Sequence, residues 1–211
     1  RLAHLAPHCA SVPPEPRREP QPVGVKRQRL LHVEDQVRLR AELDRREPGM
    51  ATELHGRAAA WLADADRLEE AVEHALASGD PETTASLIER TFVRTYYGGH
   101  ADRLARWLRA FDEGAFERRP SLAVVASWVH ALTGDSVAAD RMAAVCERST
   151  FKGTPADGTS SFESSRAMLR AVRAGNGPED ALENATFAVE AEGPGSSRRA
   201  TALWLLGGAH L

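Results

Sequence analysis

The sequence of 211 residues has little of several residue types, and each shortage excludes a class of protein. Its only cysteines, Cys9 and Cys146, lie far apart, so we predict no structural disulfide and favour a reducing compartment. No apolar run approaches the roughly 20 residues that a membrane-spanning helix needs. No sustained apolar segment follows Arg1, which argues against a secretory signal. These absences favour a cytoplasmic protein with no membrane partner.

Lysine and aromatic residues are scarce as well. Lys26 and Lys152 stand against 25 arginines, a ratio typical of GC-rich bacterial genomes. The net charge of −3 predicts no general affinity for polyanions. Aromatic residues make up 6% of the chain, so alanine and leucine must form much of the core. Such a core suits helices that pack closely through small side chains.

The motifs of enzymes and metal sites are missing. Neither lysine follows the glycine-rich turn of a phosphate-binding loop, and Gly193–Gly195 lacks the third glycine of a dinucleotide motif. No His-Glu-x-x-His motif occurs, and His4, His8 and Cys9 have no second cluster to complete a zinc site. No nucleophile lies in a strained strand-to-helix turn. We therefore predict that the chain is not an enzyme and binds no metal or cofactor itself.

Two segments have the composition of irregular structure. Six of the twelve prolines lie within the first 22 residues, a density that opposes helix and sheet alike. We predict a proline-rich irregular or disordered arm at residues 1–29, in which the basic run Lys26–Arg29 is solvated. Gly, Ser and Thr are frequent in Thr150–Ser161, which predicts a polar and mobile loop.

Elsewhere the apolar residues follow helical periodicity, most clearly in Leu54–Pro81. Two stripes at helical spacing flank a short polar turn there, which predicts two helices that face each other. The first stripe consists of Leu54, Ala58, Trp61, Leu62 and Ala65. No segment alternates with period two over a useful length, so we predict no sheet. Ten helices are predicted in all: Leu31–Arg46, Ala51–Ala65, Arg67–Ser78, Pro81–Thr95, His100–Phe111, Ser121–Thr133, Ser136–Arg148, Phe162–Ala174, Glu179–Ala191 and Arg198–Leu211.

The turns before three of these helices indicate an internal repeat. Similar short segments place Ala71, Ala139 and Ala181 near the start of a helix, at intervals of 68 and 42 residues. The first interval is twice the ~34 residues of a tetratricopeptide repeat, in which each helix pair must stack on the next to bury its apolar face. The sequence therefore predicts an all-α fold, a right-handed superhelix of antiparallel helix pairs similar to a tetratricopeptide α-solenoid.

One group of residues is a candidate contact site for an effector or a partner. Aromatic side chains lie near arginines in the sequence, beside the flexible pair Gly98-Gly99, a combination that can hold a sugar, an aromatic effector or a peptide. The group consists of Arg94, Tyr96, Tyr97, Arg103, Arg106 and Trp107. The favoured alternative is that the aromatic residues fill the core and the glycines end a helix. Trp61, Trp107, Trp128 and Trp204 all follow helical stripes, so each is predicted to be a core residue.

Three stretches of the sequence resemble a known family. They are LHGRAAAWLADADRLEEAVEHALASGD (Leu54–Asp80), ASLIER (Ala85–Arg90) and RLARWLRAFDEGAFERRPSLAVVASWVHALTGD (Arg103–Asp135). They are similar to the large LuxR-type, MalT-like transcriptional regulators. The resemblance covers residues 30–148 well and the remainder loosely.

That family joins an ATP-binding module of the STAND type, a winged helix, a superhelix of tetratricopeptide-like pairs and a DNA-binding helix-turn-helix. The resemblance implies that residues 30–49 end the winged-helix region and that residues 50–211 form the repeat domain, truncated at its C-terminus. The residues that bind ATP and DNA in the family have no counterparts here. Both ligands would be bound only by other parts of a full-length protein.

The resemblance also implies a function for the repeat domain, which in the family receives a small-molecule effector or a regulatory protein. We expect an internal fragment of such a regulator, because the chain begins without Met and ends in an apolar helix. Self-association of the full-length protein is left open. The alternative is a stand-alone tetratricopeptide-like scaffold that binds a peptide or protein partner.

Overall fold

The computed structural model describes residues 33–211, apart from the side chains at positions 33–36, 40 and 44. The predicted arm at residues 1–29 and the start of the predicted Leu31–Arg46 helix lie outside this range. The chain divides into two units, Arg1–Leu39 and Arg40–Leu211. The first unit is described only from Val33, where a helix begins, so the fold that follows is that of the second unit.

The described residues form eleven α-helices and no strand. Their bounds are α1 Val33–Arg46, α2 Met50–Asp64, α3 Leu68–Ser78, α4 Pro81–Tyr97, α5 Ala101–Leu108, α6 Glu113–Arg118, α7 Pro120–Leu132, α8 Ser136–Arg148, α9 Phe162–Arg173, α10 Pro178–Ala191 and α11 Arg199–Ala209. Neighbouring helices pack in pairs, most extensively α2 with α3, α7 with α8 and α9 with α10. The structure is all-α and solenoid-like, which confirms the predicted fold class. Within the described part of the chain, no helix is both long and apolar enough to cross a membrane.

Ten of these helices match the sequence prediction, and α6 does not. The six residues of α6 follow Asp112, whose Oδ1 accepts a hydrogen bond of 2.8 Å from the backbone N–H of Ala115. This contact caps the helix start, and Phe116 is buried. A helix of six residues is too short to show a periodic apolar stripe, so periodicity cannot detect it.

The end of α4 also differs from the prediction. The helix continues two residues beyond Thr95, so Tyr96 and Tyr97 form its last turn. Gly99 has a φ of 79°, the left-handed conformation predicted for this turn. Because consecutive helical residues point about 100° apart, the two tyrosines differ in exposure: Tyr96 is half-buried and Tyr97 is 56% exposed.

The pair α2–α3 buries one predicted stripe well and the other only in part. In α3 the stripe centred on Ala71 is buried. In α2 the buried face is centred on Ala59 and Leu62, one residue further round the helix than predicted. Leu54 and Trp61 lie at the edge of that face and are 45% and 64% exposed. The prediction that Trp61 belongs to the core is therefore wrong.

Three helices have a buried alanine at the same position, and this is the form that the repeat takes in the structure. Ala71, Ala139 and Ala181 are each the fourth residue of their helix, in α3, α8 and α10, and they are 0%, 2% and 3% exposed. Each of these helices packs against the helix before it. A methyl side chain at this position lets the two backbones approach closely, so the same packing recurs although the sequence interval varies.

Helix α7 lies at the centre of the described fold. It contacts α4, α5, α6, α8 and α9, and nine consecutive residues, Ser121–Val129, are buried. A helix that is covered on all sides must be apolar around its whole circumference. Trp128 in this run and Trp107 in α5 are buried, as predicted. Leu132 at the end of α7 is 54% exposed, although its stripe predicts an inward position.

The segment between α8 and α9 is irregular, as predicted, but it is anchored to the core. Asp157 is 0% exposed and Thr159 is 2% exposed. The backbone N–H of Ala156 donates a 2.9 Å hydrogen bond to Oγ of Ser121 in α7. A segment with buried polar residues and a hydrogen bond to the central helix is not the mobile polar loop that its composition predicts.

We expect Ala71→Arg to lower the stability of the fold strongly, because it buries a guanidinium without a partner between α2 and α3. An unpaired buried charge costs at least about 3 kcal/mol, which urea unfolding can measure. Ala77 is exposed in the same helix, and Ala77→Arg should change the unfolding free energy by less than about 0.5 kcal/mol. Equal unfolding midpoints for Ala71→Arg and the parent would disprove this packing.

We expect Cys146 in α8 to resist alkylation in the folded protein. Its thiol is free and fully buried, and burial raises its pKa from 9.0 to about 12. The reactive thiolate is therefore scarce near neutral pH and also covered. In a Cys9→Ser variant, iodoacetamide labelling followed by mass spectrometry should be complete after denaturation and limited by unfolding before it. Rapid labelling of the native protein would contradict the burial of Cys146.

Candidate functional site

Four helices that are distant in sequence surround an open cleft of about 500 Å³. Helix α4 contributes its last turn, α7 its C-terminal half, α9 its last turn and α11 its first two turns. The lining residues are Tyr96, Tyr97, Trp128, Ala131, Leu132, Val172, Ala200, Thr201 and Trp204. We call this the aromatic cleft. Its volume lies within the roughly 300–1,000 Å³ that is typical of small-molecule sites.

The walls of the aromatic cleft expose large apolar side chains to solvent. Tyr97, Leu132 and Trp204 are 56%, 54% and 68% exposed, whereas Trp128 is only 3% exposed. The prediction that Trp204 belongs to the core is therefore wrong. Apolar side chains gathered in one concave surface mark a place where a ligand or a partner can bind.

The six candidate residues from the sequence are divided between two places. Tyr96 and Tyr97 line the aromatic cleft. Trp107 is fully buried in α5, where its Nε1–H donates a 2.9 Å hydrogen bond to Oε1 of Glu73 in α3. It is a core residue with a satisfied polar atom and does not line the cleft.

The three candidate arginines pair with acidic residues at or just before α3. Arg94 lies 3.2 Å from Asp66, Arg103 forms an ion pair with Glu69, and Arg106 forms one with Glu73. All three pairs are at least partly exposed, so each adds little to stability. Their charges are already balanced by these carboxylates, and none of the three arginines lines the aromatic cleft.

A different arginine lies against the cleft. Arg198, immediately before α11, is 0% exposed. Its guanidinium carbon lies 4.9 Å from the ring centre of Trp128 and 5.9 Å from that of Tyr96, so the cation is within cation–π distance of both rings. Burial raises the pKa of the Tyr96 phenol, although Arg198 acts in the opposite direction. The phenol is therefore neutral near pH 7.

The hydrogen-bonding capacity of Arg198 is mostly unused. Nη1 donates to the phenol oxygen of Tyr97 at 3.3 Å, and that oxygen lies 3.4 Å from Oγ1 of Thr201. Nε and Nη2 have no hydrogen-bond partner. Three buried side-chain nitrogen or oxygen atoms in the described residues lack a partner, and these are two of them. No carboxylate of the described residues lies within ion-pairing distance of Arg198.

The buried carboxylate of Asp157 fixes the indole ring of Trp128. Oδ2 of Asp157 accepts a 3.2 Å hydrogen bond from Trp128 Nε1. Its Oδ1 accepts bonds from the backbone N–H and hydroxyl of Thr159 and from the hydroxyl of Ser165, at 3.1, 2.7 and 3.1 Å. The charge of Asp157 is therefore met by four donors, and the ring that faces Arg198 is held in one orientation.

A second buried carboxylate fixes the turn that precedes α11. Oε1 of Glu192 accepts bonds from the backbone N–H and hydroxyl of Ser160 and from the hydroxyl of Ser164. Its Oε2 accepts a bond from the hydroxyl of Ser196, whose oxygen also accepts the backbone N–H of Arg198. Burial alone would raise the pKa of Glu192, but these donors outweigh it and the pKa is lowered. Glu192 thereby holds the backbone of Arg198 in place.

Gly158 makes room for the stem of Arg198. Its φ is +82°, which L side chains rarely adopt. A Cβ added there would lie 3.2 Å from Oγ of Ser197, 3.4 Å from Cγ2 of Val93 and 3.7 Å from Cγ of Arg198. The glycine therefore allows the loop to pass close to the start of α11.

A second concave region differs from the aromatic cleft because its arginine is already paired. It has a volume of about 380 Å³ and lies around Arg170 and Asp180, at one end of α9 and α10. Arg170 forms ion pairs with Glu147 and Glu163 at 2.5 and 3.0 Å. The arginine of this region therefore has less to offer an anionic ligand than an arginine with free donors.

Sequence patterns gave no indication of Arg198. An arginine beside a Gly-Pro-Gly segment is by default a solvated residue, and its burial depends on three helices that meet only in the folded chain. One sequence signal could have indicated the cleft. In the apolar helix α11, the large Trp204 lies one turn after the small residues Ala200 and Thr201.

Comparison with known proteins finds a short region of similarity. Over 52 residues the chain is 46% identical to the serine/threonine-protein kinase PknK of Mycobacterium tuberculosis, strains CDC 1551/Oshkosh and ATCC 25618/H37Rv, and of Mycobacterium bovis. This region is 25% of the chain and 5% of each relative. The chain therefore spans a small fraction of the proteins it matches. No family model matches the chain, and no solved structure does.

We expect Glu192→Gln to lower stability near pH 7, because the amide cannot accept the hydrogen bonds of three serines as a carboxylate does. The pKa of Glu192 is lower in the folded state than its ordinary 4.5. The carboxylate's contribution is therefore present above the unfolded pKa and is lost as the pH falls through the lowered folded value.

Thermal unfolding across the acid range measures this effect. The melting temperatures of Glu192→Gln and the parent should differ most near neutral pH and converge at low pH. Glu190 is exposed in the last turn of α10, just before Glu192, and Glu190→Gln should follow the parent at every pH. A constant difference between Glu192→Gln and the parent across this range would contradict the assignment.

Proposed function

We propose that this chain is the sensor region of a LuxR-family, MalT-like transcriptional regulator, and that the aromatic cleft receives its small-molecule effector. The observation that carries the proposal is the cleft itself, in which solvent-exposed Tyr97, Leu132 and Trp204 face one another. The sequence resemblance to such regulators and the all-α architecture of stacked helix pairs support it. DNA and ATP would be bound by other modules of the full-length protein.

The position of the cleft suits a sensor. Its walls belong to α4, α7, α9 and α11, which come from different helix pairs. A ligand that contacts all four would join the stacked pairs and stabilise one arrangement of them over others. A signal of this kind can pass along the array to a neighbouring domain, because each pair packs on the next.

We expect effector binding to depend on Trp204 and not on Trp61. The two tryptophans are similarly exposed, at 68% and 64%, but only Trp204 lines the cleft. In a thermal-shift screen of small apolar and aromatic compounds, hits should raise the melting temperature of the parent and of Trp61→Ala. The same compounds should fail to stabilise Trp204→Ala.

Two outcomes would contradict the proposal. One is a set of hits that stabilise Trp204→Ala as much as the parent. The other is a complete absence of stabilising compounds in a diverse library. Flanking coding sequence is a separate test of the family assignment: an upstream phosphate-binding loop and a downstream helix-turn-helix would support a regulator, and their absence a stand-alone scaffold.

A further inference from the structure

We infer that the aromatic cleft is specific for small carboxylates, with Arg198 as the group that recognises the anion and the exposed walls as the site for an apolar or aromatic body. The inference rests on the proposed function, which it deepens by naming the chemical class of the effector. Its basis is the buried guanidinium of Arg198, which contacts three of the residues that line the cleft and has unsatisfied donors on Nε and Nη2.

The unused donors of Arg198 carry an energetic cost. A buried charged group with unmade hydrogen bonds is destabilising, and folded proteins ordinarily avoid it. The contacts with Trp128 and Tyr96 offset part of this cost, since a desolvated cation close to an aromatic ring is stabilised by the ring's π electrons. They leave two donors unused. An anionic ligand would satisfy both donors and pair with a guanidinium that forms no ion pair with a carboxylate of the described residues.

The two unused donors of Arg198 also have the geometry that a carboxylate needs. Nε–H and Nη2–H lie on the same edge of a guanidinium, and together they form the fork that binds a carboxylate through two parallel hydrogen bonds. The donor that is occupied, Nη1, belongs to the other edge and is used by Tyr97. The protein therefore leaves free the one pair of donors that matches a carboxylate.

Access to this fork runs past Tyr97. This residue both lines the cleft and bonds to the guanidinium, and it is 56% exposed. Its phenol is held by two long contacts, 3.3 Å to Arg198 and 3.4 Å to Thr201. Rotation of the phenol towards solvent breaks these two contacts and opens the guanidinium to the cleft. A ligand's carboxylate can then pass the displaced phenol and reach the free edge of Arg198, formed by Nε and Nη2.

The rest of the cleft selects the body of the ligand. Leu132 and Trp204 are exposed on its walls and gain from contact with an apolar group. A simple inorganic anion has no such group. The predicted ligand is therefore amphipathic, with one carboxylate and a flat or aliphatic body that fits beside the indole of Trp204.

Isothermal titration with matched pairs of probes tests the inference. The carboxylates are phenylacetate, indole-3-acetate and decanoate, and each is compared with its neutral amide. At least one carboxylate should bind with a dissociation constant below roughly 10 mM. Its amide should bind about tenfold to 100-fold more weakly, because it cannot form charge-assisted hydrogen bonds.

Two variants of the site give opposite expected results. Arg198→Met keeps much of the stem but removes the guanidinium, and it should weaken the carboxylate to the level of the amide. Replacing a buried charge by an apolar side chain of similar volume often preserves the fold, and a melting curve confirms it. Tyr97→Phe removes the hydroxyl that competes for Arg198, and it should strengthen carboxylate binding about two- to tenfold. Arg57→Met, at an exposed arginine of α2, is the matched control and should leave binding unchanged.

Failure of the inference can be distinguished from failure of the proposed function. Equal binding of acid and amide, both lost in Trp204→Ala, would overturn the carboxylate specificity and leave the cleft as an effector site. Carboxylate binding that survives in Arg198→Met would do the same. No binding of any probe to the parent or to Tyr97→Phe would overturn the inference as well. Compounds that stabilise or bind Trp204→Ala as strongly as the parent would overturn both proposals.

Discussion

A helix pair in this chain cannot bury its apolar face by itself, and every other feature of the described structure follows from that constraint. Ala71, Ala139 and Ala181 recur at one position because a methyl group there lets consecutive helices approach. Helix α7 is buried on all sides because pairs pack against it from both directions. Where stacking leaves the ends of α4, α7, α9 and α11 apart, a cleft remains with apolar walls that no helix covers.

The described structure places a buried arginine with two unmade hydrogen bonds next to residues that line that cleft. Arg198 is fully buried between two aromatic rings, and its backbone is fixed by the hydroxyl of Ser196, which Glu192 orients. Asp157 fixes the indole that faces the cation. Both carboxylates are saturated by serine, threonine or indole donors, whereas the guanidinium is not. A chain that satisfies its buried anions so fully and leaves one buried cation incomplete has a recognisable place for a ligand.

The fold was largely predictable from sequence because helical periodicity is a local property. The spacing of apolar residues predicted ten helices and the buried stripe of α3. It could not decide which stripe residues a neighbouring helix covers, so Trp61, Leu132 and Trp204 were assigned to the wrong environment. Two of the six candidate site residues, Tyr96 and Tyr97, line the cleft. The three candidate arginines pair with acidic residues outside the cleft. The repeat spacing is consistent with such contacts, because Glu69 and Arg103, and likewise Glu73 and Trp107, are hydrogen-bonded and 34 residues apart. The burial of Arg198 and its contacts with the aromatic residues could be recognised only in the tertiary structure.

The buried Asp157 has a consequence for the way the molecule unfolds. In a regular solenoid each repeat contacts only its neighbours, so terminal repeats can open independently of the rest. Here one carboxylate joins an inter-pair segment to Trp128 of α7 and Ser165 of α9. Opening either helix would remove a hydrogen-bond donor from the buried carboxylate of Asp157. The hydrogen bonds of Asp157 therefore couple two successive helix pairs, and α7 and α9 should open together instead of one after the other.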